Sequence, residues 1–172
     1  KSAVGLEACS ACPTNEVSLT PSAATECHCD RGYVEDNAGV CQACQAGFWK
    51  ANTGNEAQMC AAEQDECCAC ETAAGKTTTA VASVSDMDCV CMPGYGFDGS
   101  VCTSCTHGTY KASTGNLPCT SCAVGATTLG IGSVSEASCV ADVGHFQNGD
   151  TFIACVDGTY QAATDSTECD TC

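Results

Sequence analysis

Twenty cysteines among 172 residues are the groups in this chain whose type and spacing permit chemistry. Six pairs of them stand as C-x-x-C: Cys9/Cys12, Cys41/Cys44, Cys67/Cys70, Cys102/Cys105, Cys119/Cys122 and Cys169/Cys172. Such pairs serve zinc sites, thiol redox centres or disulfide scaffolds. A zinc site needs four ligands converging on one ion. A thioredoxin-like centre needs a βαβ setting, which the pattern lacks. Here each C-x-x-C joins the end of one repeating segment to the start of the next, and this fits sequential disulfides. His28, His107 and His145 stand at unrelated repeat positions with no marked Ser or Cys partner, so they read as surface or packing residues. The sequence assigns no catalytic residue, no cofactor and no metal ligand, and the chain reads as non-enzymatic.

The elements that must position these cysteines recur in fixed order. An aromatic segment, C-x-x-G-[TF]-[YW]-[KQ]-A, begins at Cys44, Cys105 and Cys155. Its Gly, two extended-favouring residues and following T-G or T-D predict a short β-hairpin. A Thr/Ser segment runs Cys12–Cys27, Cys70–Cys89 and Cys122–Cys139, with an acid (Glu26, Asp88, Glu136) shortly before its close. Its small and β-branched residues suit two short strands around a turn. A Gly-Tyr segment runs Cys29–Cys41, with Gly32-Tyr33, and Cys91–Cys102, with Gly94-Tyr95. Its third copy has Gly144-His145 for Gly-Tyr, Ala141 in the slot of Cys91 and Phe152 in the slot of Cys102. Tyr33, Tyr95, Trp49, Tyr110 and Tyr160 fall at matching slots and read as loop-packing residues.

The joint loss of two cysteines from the third copy is what a bonded pair predicts, because losing one alone would strand a thiol. Cys91 therefore pairs with Cys102, and by equivalence Cys29 with Cys41. The same logic gives Cys12–Cys27, Cys70–Cys89, Cys122–Cys139, Cys105–Cys119 and Cys155–Cys169. An insertion adds Cys60 and Cys68. It allows Cys44–Cys67 with Cys60–Cys68, or Cys44–Cys60 with a vicinal Cys67–Cys68 bond. The first is favoured because a vicinal disulfide is strained. Cys9 and Cys172 are left over, and their expected partners lie outside this sequence, in a longer repeat protein or a neighbouring copy.

Composition explains the need for cross-links. Leu, Ile, Val and Phe make only 23 of the 172 residues, while backbone ordering costs roughly 1–2 kcal/mol per residue. A disulfide across a loop of about 15 residues stabilises by roughly 3 kcal/mol in the chain-entropy model. Disulfides at this density belong to the secretory pathway, so an extracellular or cell-surface location is expected. The net charge of −16 excludes recognition of nucleic acid through a basic patch. The acids are scattered and read as solvated surface. Calcium binding has no supporting D-x-[DN]-x-[DN]-G loop. No stretch is long and apolar enough to insert in a membrane. No N-x-[ST] site occurs, although Thr77-Thr78-Thr79 offers hydroxyls for O-linked sugar.

The expected architecture is a small disulfide-rich fold, mostly irregular with short β-hairpins, forming an elongated tandem-repeat rod with little or no helix. Its organisation is a partial first repeat over 1–44, a second over 44–105 carrying the Cys60/Cys68 insertion, a third over 105–155 lacking one disulfide, and the start of a fourth over 155–172.

The run C-x-x-G-T-Y-x-x-x-x-G-x-x-x-C-x-x-C-x-x-G-x-x-T from Cys105, with S-V-S-x-x-x-C up to Cys139, resembles the ephrin-receptor-like cysteine-rich repeat. Cys70 to Cys102 supplies the C-x-C-x-x-G-Y half. That repeat is similar in style to tumour-necrosis-factor-receptor and EGF-like modules. The Ala- and Thr-rich composition is also similar to protist surface proteins and to mastigoneme-like fibrous appendages. The resemblance implies a structural segment of a long surface or filament-forming protein, whose partners are other copies of itself or other surface proteins. The alternative it implies is a ligand-binding ectodomain module of a cysteine-rich receptor.

Overall fold

The computed structural model describes residues 11–18, 27–54 and 67–172. Among these the sheets are nine, each of only two strands, and strands run two to four residues. The helices among them are three single 3-10 turns, at Thr72–Ala74, Asp86–Asp88 and Glu136–Ser138. None is long and apolar enough to cross a membrane. The fold is disulfide-rich, irregular and built of hairpins. The chain divides into two compact units: the described residues up to Cys70 together with Thr77–Cys89, and Glu71–Lys76 together with Val90–Cys172.

In the first unit, Tyr33–Glu35 pairs antiparallel with Cys41–Ala43. Phe48–Trp49 pairs with Cys68–Ala69. In the second, Tyr95–Phe97 pairs with Cys102–Ser104, Thr109–Tyr110 with Thr120–Ser121, and Ala126–Thr128 with Cys139–Ala141. The expected hairpin of the aromatic segment thus takes a different form. Its second strand lies beyond the closing cysteine, and the Thr-Gly pair is not its turn. Gly115 N–H donates instead to Cys91 C=O at 2.8 Å, and Gly54 N–H to Cys29 C=O at 2.8 Å. The Thr-Gly stretch is spent on holding the preceding Gly-Tyr segment.

The core is made of sulfur and backbone. The buried apolar residues among those described are Cys29, Cys44, Cys68, Cys70, Cys91, Cys102, Cys105 and Ala141. Four polar residues join them: Lys50, Thr78, Lys111 and Thr128. So narrow a core leaves backbone groups inside it, and each must find a partner. Thr78 and Thr128 answer part of that demand. Thr78 Oγ1 accepts from Gly47 N–H at 2.8 Å and donates to Ala80 C=O at 2.9 Å. Thr128 Oγ1 accepts from Gly108 N–H at 3.2 Å and donates to Gly130 C=O at 2.9 Å. Thr78 is therefore no glycan acceptor, in contrast to what Thr77-Thr78-Thr79 suggests as sequence.

The third Gly-Tyr segment shows how the missing cysteines are absorbed. His145–Asn148 pairs with Thr151–Ala154 over four residues, against three in the copy that pairs Tyr95–Phe97 with Cys102–Ser104. Ala141 stays fully buried in the slot that Cys91 fills. An added rung of ladder and a small apolar residue stand where the sulfur bridge was.

The threonine bridge has a measurable consequence. Thr128→Val keeps the shape but strands Gly108 N–H and Gly130 C=O, which costs about 1–3 kcal/mol. Amide hydrogen exchange at Gly108 is expected to accelerate in Thr128→Val and to stay slow in Thr128→Ser. Equal exchange in both variants would contradict the bridge.

Candidate functional site

The chemistry-bearing side chains converge on the joints between segments. With both cysteines among the described residues, eight disulfides link Cys12–Cys27, Cys29–Cys41, Cys44–Cys67, Cys70–Cys89, Cys91–Cys102, Cys105–Cys119, Cys122–Cys139 and Cys155–Cys169. Their Cα–Cα separations run from 5.4 to 5.9 Å, within the usual span of such bonds. Wherever a C-x-x-C has both cysteines bonded among these residues, the two belong to different disulfides. With Cys44 bonded to Cys67, the rival Cys44–Cys60 scheme falls away. Cys68 is disulfide-bonded; Cys60, its expected partner, and Cys9 lie outside the described residues. Cys172 is a free, exposed thiol.

The residues that sequence reasoning passed over are the lysines of the aromatic segments. Lys111 is only 3% exposed. Its Nζ donates to Ser113 C=O at 2.7 Å and reaches Cys91 C=O at 3.3 Å and Met92 C=O at 3.5 Å. Burial pushes the Lys111 ammonium below the ordinary lysine value. Lys50 is equally buried and donates to Gly54 C=O at 2.7 Å and Tyr33 C=O at 2.8 Å. Each ammonium thus ties the loop that follows it to a Gly-Tyr segment. In the third copy Gln161 takes the slot. Its Nε2 donates to Glu168 C=O at 2.9 Å, and its Oε1 accepts from Ala163 N–H at 2.9 Å. A signal was present in the sequence. The chain holds only five basic residues. Two share this slot, and the third copy gives up its lysine together with its cysteine pair.

The carboxylates nearest the joints hold turns. Asp98 accepts from Ser100 N–H and Val101 N–H, both at 2.9 Å. Those bonds, Val101's first, hold its carboxyl below the ordinary value. Asp36 does the same with Val40 N–H and Ala38 N–H, helped by the Gln42 side-chain amide, and its carboxyl is also lowered. Asp88 closes a capping box with Ser85 at the start of Asp86–Asp88. His107 places Nδ1 2.9 Å from Thr128 C=O. The His145 ring lies against Gly125, as the Tyr95 ring lies against Gly75. A Cβ at either glycine would strike the ring. His28 sits in a strand opposite Val17. No group of three or more His, Cys, Asp or Glu residues placed to hold a metal ion occurs among the described residues.

The described geometry is that of a cysteine-rich repeat module, and comparison with known proteins finds a likeness for one stretch of it. Residues 94–139 match the family model described as tyrosine-protein kinase ephrin type A/B receptor-like. That stretch opens at the glycine of the Gly-Tyr pair and closes at the last cysteine of the Thr/Ser segment. Over that stretch the chain is similar to an ephrin-receptor-like cysteine-rich repeat. No curated protein and no solved structure matches the chain.

Two outcomes test this account. Lys111→Met removes the ammonium and leaves its carbonyls without that donor, at a cost of about 1–3 kcal/mol. Chemical denaturation should show that loss, and a change within error of zero would contradict the clamp. For Asp98 the sign follows from a folded carboxyl lying below the ordinary 3.8. The stabilisation is complete above 3.8 and disappears as pH falls through the lower folded value. NMR signals of Ser100 and Val101 should report this loss in acid. Asp98→Asn should abolish that pH dependence.

Proposed function

We propose that this chain is a non-enzymatic, extracellular structural segment of a long cell-surface or filament-forming protein, with other copies or other surface proteins as its partners. One observation carries the reading: the same backbone joints recur from copy to copy. Gly32 N–H donates to Lys50 C=O at 2.9 Å, Gly94 N–H to Lys111 C=O at 2.9 Å, and Gly144 N–H to Gln161 C=O at 2.8 Å. Cys44, Cys105 and Cys155 N–H donate back to those glycine carbonyls at 2.8, 2.8 and 2.9 Å. A joint made by backbone and repeated by sequence is suited to adding units in series. The groups able to do chemistry serve the same end. Described cysteines other than Cys172 are in disulfides, both buried lysines clamp carbonyls, and Asp36, Asp88 and Asp98 cap turns.

The extracellular location rests on the disulfide density, which a reducing cytosol does not sustain, and on the match of residues 94–139 to a receptor-type module. The acidic surface, −16 overall, keeps such a protein soluble and discourages uncontrolled lateral association.

Electron microscopy of the natively purified protein, with gold-labelled antibody against residues 94–139, tests the role. Regularly spaced label along fibres or surface appendages is the expected result. Label confined to single particles without end-to-end or lateral contacts would overturn the structural role. It would move the assignment to a receptor-type binding module.

A further inference from the structure

The third aromatic segment presents an edge that its two siblings have covered. In the first unit, Ala82 N–H donates to Cys44 C=O at 2.8 Å and Lys50 N–H to Ser83 C=O at 2.9 Å. Gly47 N–H meets the Thr78 hydroxyl at 2.8 Å. In the second unit, Gly132 N–H donates to Cys105 C=O at 2.7 Å and Lys111 N–H to Ser133 C=O at 3.0 Å. Gly108 N–H meets the Thr128 hydroxyl at 3.2 Å. In each case a Thr/Ser loop lies on the aromatic segment through three bonds of the same kind. Parallel bridges Trp49 to Ser83 and Tyr110 to Ser133 mark the contact.

The third aromatic segment is folded as the others are. Thr159–Tyr160 pairs with Asp170–Thr171 as Thr109–Tyr110 pairs with Thr120–Ser121. Gly158 has φ +84°, between the +93° of Gly47 and the +75° of Gly108. Cys172 N–H donates to Gly158 C=O, as Cys122 N–H does to Gly108 C=O. Yet among the described residues Cys155 C=O, Gly158 N–H and Gln161 N–H have no hydrogen-bond partner. Exposure follows suit. Cys44 and Cys105 are each 1% exposed, whereas Cys155 is only half-buried. Tyr160 is 50% exposed, whereas Trp49 and Tyr110 are half-buried. A fourth position agrees. A Cβ on Gly32 would collide with Ala82 C=O and one on Gly94 with Gly132 C=O, but one on Gly144 meets nothing.

We propose that the edge formed by Gly144, Cys155, Gly158 and Gln161 is a docking site for a further disulfide-closed Thr/Ser loop. The two loops already seated define the occupant. It carries a threonine whose hydroxyl receives Gly158 N–H. Four residues later it carries Gly or Ala in the left-handed conformation, as Gly132 (φ +71°) and Ala82 (φ +56°) do. That residue's N–H donates to Cys155 C=O. A serine follows, and its C=O receives Gln161 N–H. The left-handed backbone restricts that loop position to Gly or Ala, and the lack of a Cβ on Gly144 leaves room for the loop's carbonyl, as at Gly32 and Gly94. The inference deepens the structural reading and rests on it by naming what continues the series.

The test extends residues 1–172 with a copy of residues 123–139, so that Cys172 takes the place of Cys122. The added loop should close by a disulfide. Hydrogen exchange at Gly158 and Gln161 should then slow by at least about tenfold, towards the rates of Gly108 and Lys111. A second extension, with valine at the added copy of Gly132, should close its disulfide without protecting those amides. Three results overturn the proposal: a closed disulfide with exchange at Gly158 and Gln161 unchanged, a disulfide that fails to form, or equal protection from the valine extension. Protection that appears in the unextended chain only as its concentration rises also overturns it, because the occupant is then a second copy. These readouts are separate from fibre imaging, so a failed edge and a failed structural role are distinguishable.

Discussion

A backbone carbonyl or amide inside a core too narrow to be oily is the constraint on which this structure depends. Disulfides close each segment into a small loop, and Ala141 is the one described buried apolar side chain that is not a cysteine. The polar atoms of the main chain therefore lie inside, and leaving one unpaired costs about as much as a lost hydrogen bond. The chain meets that demand with glycine N–H groups, threonine hydroxyls and lysine ammoniums. Lys111 is the clearest case. An ammonium is costly to bury, yet at 3% exposure it reaches three carbonyls from two segments at once. No neutral side chain of that length supplies three donors on one atom.

That constraint also separates what was legible in the sequence from what was not. Cysteine spacing and the joint loss at Ala141 and Phe152 spoke directly of pairing, because a disulfide couples two positions and leaves a trace at both. The Gly-Tyr signature was equally plain. Gly94 has φ +80° and its neighbour Tyr95 rests on Gly75, so both residues are fixed by shape. The lysines were hidden because charge is ordinarily a mark of the surface. The Thr-Gly pair misled because local turn chemistry was read where a contact between segments decides. Gly115 is glycine in a left-handed conformation, φ +136°, but its N–H serves Cys91 C=O rather than a hairpin turn. A partner 24 residues away cannot be seen from the tetrapeptide alone.

The third repeat shows that cysteine pair and lysine form one device. Where Cys91–Cys102 is present, Lys111 grips the carbonyls of Cys91 and Met92. Where Ala141 and Phe152 replace the cysteines, Gln161 replaces the lysine and turns to its own loop, at Glu168 and Ala163. An ammonium in a dry site needs acceptors held at fixed distance, and a disulfide at the root of the hairpin holds them. Without that tether a neutral amide, with one donor group and one acceptor, demands less of its surroundings. The joint itself persists, since Gly144 N–H still reaches Gln161 C=O and Cys155 N–H still reaches Gly144 C=O. Side chains change at this joint without loss of register because the backbone carries it.

Backbone joints also set how stability is distributed. The bonds from Gly94 to Lys111, from Lys111 to Ser133 and from Gly132 to Cys105 each link segments that are neighbours in sequence. Stability is then close to a sum of small local contributions, each with its own disulfide, and not the property of one shared core. Damage to one segment is confined to the segments beside it. Covalent ties within segments and hydrogen bonds between them divide the work. The first keep each loop folded, and the second place it against the next.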